Sequence, residues 1–205
     1  MSRPPTAPRR QDIPIYELEA LDNLVGRFGG TMPEGYFGVL ANTPPLGWRL
    51  ASAGRAMRQR GNYEGTYSHA DREFVDQIMM QDLGTNAFRR LHTNDALSAG
   101  VRLEAIDAIR AGREDEVLTE DEKLLARFIR GVMARTLDDD TWAAMEQRIG
   151  ERGAIEYAIF IAFLQLILTL YHAFGLPPDS DAEVQDVIDR FTAGEELPSH
   201  LPLTY

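Results

Sequence analysis

The 205-residue sequence predicts an all-α fold. Three features carry that expectation. Apolar residues recur at alternating spacings of three and four along most of the chain, which puts them on one side of a helix. Ser or Thr followed three residues later by Asp or Glu precedes several of these runs, the pattern of an N-terminal capping box. Alternating apolar–polar stretches bounded by turn residues, the mark of strands, are nearly lacking.

Taken in order, IYELEALDNLVGRF places Ile15, Leu18, Leu21, Leu24, Val25 and Phe28 on one face and stops at Gly29–Gly30. Met32–Pro33 opens a short helix through Phe37 and Leu40. Pro44–Pro45 ends it and starts LGWRLASAGRAMRQ, and GNYEGTY (61–67) reads as a loop. Ser68 and Asp71 box the start of ADREFVDQIMMQDL, which Gly84 ends. Thr85 or Asn86 is placed to cap NAFRRLHTNDALSAGV, which would put Thr85, Phe88 and His92 on one helical face. Leu103, Ile106 and Ile109 mark a short helix closed by Gly112. Thr119 and Glu122 box DEKLLARFIRGVMART, Asp140 is expected to cap TWAAMEQRIG, and Ser180 with Glu183 boxes AEVQDVIDRF. Residues 1–14 are expected to be a flexible arm, and GEELPSHLPLTY an extended one.

The stretch YAIFIAFLQLILTLY (157–171) tests whether the chain is soluble. It falls short of the roughly 20 apolar residues of a membrane span. An all-round apolar helix of this kind is expected in a core or between subunits. With 44% hydrophobic and 26% charged residues, the chain has the composition of a soluble globular protein with a sizeable core. Its net charge of -11 argues against nucleic acid or an anionic membrane as a partner. Arg89 and Arg90 are local basic spots that suit a small anion. The N-terminal segment has no apolar stretch of the secretory kind, so the expected location is the cytoplasm. The absence of cysteine removes thiol nucleophiles, thiolate metal sites and disulfide chemistry.

Of the four histidines, His92 is the candidate proton carrier, because an imidazole titrates near neutral pH. Glu73, on the preceding helix, is placed to orient it. The competing reading is a histidine bonded within a helix-packing layer. His69 and Glu73, four apart, share a face, but two ligands do not make a metal site, and no metal is expected. His172 is expected to be a satisfied core residue and His200 a solvated one. Thr85 reads first as a cap, and Arg89 as a solvated or carboxylate-binding cation.

Glu73, twelve residues to Thr85, three more to Phe88, four to His92, then Ala96 and Gly100–Val101 resemble the frame of the carboxymuconolactone decarboxylase and AhpD-like superfamily. The NTPPL, REF, VRLEAIDAIRAG, LTEDEKLLARF and YHAFGLP segments extend the resemblance over about residues 17–178. Peroxidase members carry Cys-x-x-Cys where this chain has Thr85 and Phe88, so thiol peroxidase chemistry is not expected. Many cysteine-free relatives have a glutamate at the position of Phe88. The resemblance implies an AhpD-like helical bundle at 15–178, followed by a helix and tail at 179–205. It also implies a lyase-like proton-transfer enzyme acting on a small carboxylated or lactone-type compound, with no organic cofactor. His92 and Glu73 would be catalytic, with Thr85, Phe88 and Arg89 contacting an anionic substrate. A homo-oligomer is implied, a trimer, hexamer or dimer. The rival reading is a non-catalytic binding or scaffold protein on the same fold.

Overall fold

A computed structural model describes residues 6–195, and among them every regular element is helical. Residues 1–5 and the tail from 196, including His200, lie outside the described residues. The α-helices are α1 Leu18–Gly26, α2 Gly35–Leu40, α3 Pro44–Arg58, α4 His69–Asp82, α5 Arg89–Ala99, α6 Leu103–Ala111, α7 Glu114–Val117, α8 Glu120–Ala134, α9 Asp139–Phe174 and α10 Asp181–Thr192. The all-α expectation holds. The contacts divide the chain into two units, one of residues 1–57 and 167–177, the other of 58–166 and 178–205.

In the first unit, Leu21 and Leu24 of α1 pack with Ile13, Ala41 and Ala51, flanked by Phe37 and Trp48. Ile13, from the segment expected to be a flexible arm, is thus part of the core. Ile15 is not: it is 85% exposed, because Pro14 and a 3-10 turn at Ile15–Glu17 precede the helix proper.

The second unit is built around α4. All three expected capping boxes form, at Ser68–Asp71, Thr119–Glu122 and Ser180–Glu183, each hydroxyl accepting from the backbone N–H three residues on. Tyr67, Phe128, Tyr157 and Phe160 stack beside α4, and the Tyr157 hydroxyl donates to the Asp71 carbonyl at 2.9 Å. Every residue of α4 from Asp71 to Met80 is buried, five of them polar or charged. Burying a charge is tolerated only when it is paired, so this helix must carry its own partners. Asp71 finds one in Arg148, which donates two hydrogen bonds at 2.8 and 3.0 Å.

Two expectations about helix ends are corrected. The helix carrying His92 begins at Arg89, not at Thr85 or Asn86. Phe88 stands just before it in the left-handed region (φ 58°), so a right-handed helix cannot run through it, and Thr85 shares no helical face with His92. The Thr85 hydroxyl instead accepts from the Ala87 N–H at 3.1 Å, closing a local turn. The cap before Trp142 is Asp138, whose carboxylate accepts from the Thr141 N–H at 2.7 Å, while Asp140 lies inside the first turn. At Gly150 the backbone is non-helical (φ 76°, ψ 160°), a conformation only glycine adopts readily, so the α9 span is two helices meeting at a kink and the apolar one stays distinct from TWAAMEQRIG, as expected.

Candidate functional site

The site grows from two facing helices of the second unit. Glu73 and Asp76, three apart, share the face of α4 that meets α5. His92 comes from the first turns of α5, where the left-handed backbone at Phe88 sets the entry of the chain and lays the Phe88 ring edge-on to the imidazole, 6.3 Å between centroids. The imidazole Nδ1 is 2.8 Å from Glu73 Oε2 and 3.5 Å from Asp76 Oδ2. Both carboxylates are buried, whereas 17% of the His92 side chain reaches solvent. Arg72, also buried, ion-pairs with the other oxygen of Glu73. Nearby, Arg58 pairs with the buried Asp95 at 3.4 Å.

Electrostatics separate the three groups. Burial pushes Glu73 up, but the charge and hydrogen bond of His92, with Arg72 behind them, outweigh it and hold this carboxyl below the usual range. Asp76 has no such direct bond. Burial, reinforced by the charge on Glu73, lifts it to about 7 against the pull of His92 and Arg72. Burial alone would discharge His92, yet Asp76 and Glu73 raise it to about 9. At neutral pH the arrangement is an imidazolium held by one firm carboxylate, beside a second carboxyl poised to gain or lose a proton.

Glu73, Asp76 and His92 each offer an oxygen or nitrogen, all within 4.8 Å of one another, close enough to share a cation. Arg72 and the charged imidazole already supply positive charge there. His69 does not join the cluster: its Nε2 meets Asn62 Oδ1 at 2.8 Å.

The sequence-predicted residues thus fall into two groups. Glu73 and His92 come together, with Phe88 against the ring. Thr85 and Arg89 line a separate open groove of about 470 Å³, whose lining includes neither Glu73 nor His92. Asp76 was missed. An acid one turn after Glu73 on the same face was the available signal, and it supplies the second carboxylate that a phenylalanine at position 88 had seemed to remove.

No protein-family model matches the sequence, and no curated protein does. Among solved structures, the chain is similar to an uncharacterised peroxidase-related protein from Ralstonia eutropha, described as an alkylhydroperoxidase AhpD core. The TM-score is 0.65 at 12% identity, covering 89% of this chain and 94% of that one. At that identity the likeness is one of architecture, and the chain has the all-α AhpD-like fold that the spacing around His92 led us to expect.

Proposed function

We propose that the protein is a proton-transfer enzyme in which His92 is the general acid/base. One observation carries this reading: an imidazole, partly open to solvent, bonded through Nδ1 to a buried carboxylate and flanked by a second. The Glu73 bond holds the ring and keeps it protonated, leaving Nε2 as the nitrogen to meet a substrate. Asp76, on the same Nδ1 side as Glu73, adds to the field that keeps the ring charged.

The substrate class is a small carboxylated or lactone-type compound. With a β-keto acid, the bond from Cα to the carboxylate breaks, CO₂ leaves, and the electron pair forms an enolate. His92 then donates its Nε2 proton to that carbon and is recharged from water on its solvent-open side. Without cysteine, a thiol peroxidase cycle has no nucleophile. The test is turnover of a panel of β-keto acids and lactones, with NMR detection of C–H exchange in D₂O. His92→Gln is expected to abolish any activity found; equal activity in both proteins removes His92 from the chemistry.

A second reading, a binding protein on the same fold, is favoured by the Arg72–Glu73 ion pair, which lets the cluster balance its own charge without a ligand. It predicts no solvent exchange with any member of the panel.

The same proposal includes self-association. Ile155, Ile159, Ala162 and Leu166, spaced four, three and four, form an exposed stripe on α9, with Ile159 51% exposed. That is the seam spacing of paired helices. An 18-residue window of α9 reaches a mean hydropathy of 1.9. Yet Tyr157, Phe160, Ile161 and Leu164 tie its other side to protein, which favours a second copy over surrounding lipid. Ile159→Glu is expected to lower the molar mass in light scattering; an unchanged mass rules the stripe out as the contact.

A further inference from the structure

Where α4 ends and α5 begins, one turn before His92, a groove is closed by α6 and α10. Arg89 stands at its base, 5% exposed. Its guanidinium makes only two long hydrogen bonds, NH1 to Gln81 Oε1 at 3.4 Å and NH2 to the Thr85 carbonyl at 3.3 Å, and its Nε–H has no partner. Arg110 of α6 lines the same groove, and neither arginine forms an ion pair among the described residues. Two acids also line it. Asp181 is engaged, its Oδ1 accepting from Asn86 Nδ2 at 2.8 Å in the first turn of α10, where the helix dipole favours it. Asp107 reaches neither guanidinium as an ion pair.

A buried cation with an unmade N–H, facing a second cation across an open cavity, is costly unless a counter-charge is supplied. The other buried arginine among the described residues, Arg72, has Glu73, and the half-buried Arg148 has Asp71. Burial, and after it the charge of Arg110, press Arg89 below the usual arginine range, and the charge of Asp181 offsets them only in part. The cavity is of the size that takes a small molecule, and a guanidinium fork suits the paired oxygens of a carboxylate or phosphate.

We propose that the Arg89–Arg110 groove is a binding site for a small oxyanion-bearing ligand, separate from the His92 cluster. The site stands whether or not His92 is catalytic, since its lining includes neither His92 nor Glu73.

Isothermal titration of the whole chain with inorganic phosphate and with succinate, at matched ionic strength, tests this. Saturable binding of at least one anion is expected. Binding of phosphate alone assigns a phosphorylated ligand, and binding of succinate alone a carboxylate. Arg110→Gln, at a half-buried position, is expected to weaken binding about tenfold, the loss of one charge-assisted contact. Arg89→Lys keeps the charge but loses the fork and is expected to weaken it as well, with circular dichroism confirming the fold. His92→Gln should leave binding unchanged. Failure of both anions to bind, equal binding by wild type and Arg110→Gln, or loss of binding in His92→Gln would each overturn the proposal.

Discussion

Two neighbouring regions along the α4–α5 pair handle buried charge in opposite ways. Toward the start of α4, Glu73 and Asp76 are set against His92 and Arg72, so anions and cations neutralise one another inside the protein. Past the end of α4, Arg89 of α5 and Arg110 of α6 line a groove without a carboxylate bonded to either among the described residues. A cluster that balances itself is held together by mutual dependence, and removing one member strands the others. A groove whose arginines are bonded to no carboxylate loses little when Arg110 is removed, because no hydrogen bond or ion pair among the described residues depends on it. What it loses is the capacity to hold an anion.

The largest expected effect is therefore at Glu73. Glu73→Gln leaves both His92 and Arg72 without their buried carboxylate and should destabilise the fold by about 3–5 kcal/mol in urea unfolding. A loss below about 1 kcal/mol would mean that the cluster is not mutually dependent. Next comes pH. His92 titrates at about 9 in the folded chain, above the unfolded value near 6.5. Its contribution to stability is thus complete below about 6.5 and is lost as pH rises through about 9. Thermal unfolding should show Tm falling over that window, and His92→Gln should flatten this part of the profile.

Asp76→Asn should be milder, about 1 kcal/mol or less, because a carboxyl lifted to about 7 gains little from being charged where it sits. Its signature is instead in His92, whose NMR titration should move to lower pH once that neighbouring charge is gone. The smallest effect is at the groove, where Arg110→Gln should change stability by no more than about 0.5 kcal/mol. A large loss there would show that Arg110 is structural and would erase the contrast between the two regions.

How much of this was legible in the sequence depends on the range of the interactions. Ser68–Asp71, Thr119–Glu122 and Ser180–Glu183 were legible because a capping box is closed within four residues. The Asp138 cap was equally local, and the error of two residues came from several acids in a row competing for one N-terminus. The pairing of Glu73 with His92 could be anticipated only through the spacing shared with the AhpD-like frame, and the 2.8 Å contact agrees with it. Asp76 sat one turn away on the same face and was passed over, since periodicity treats an acid as a solvated residue. The start of α5 was misplaced because a left-handed phenylalanine is rare enough that no propensity predicts it.

The sequence by itself determined the helical class, most of the helix starts and stops, and the exclusion of thiol chemistry, because each of these rests on neighbouring residues or on composition. Only the tertiary structure decided that α4 is buried on all sides, that Asp76 shares His92 with Glu73, and that Arg89 faces Arg110 across a cavity instead of reaching solvent. The reason is physical. Burial, and with it the strength of every charge–charge interaction, is a property of what surrounds a residue in space, and helical periodicity records only which face it is on.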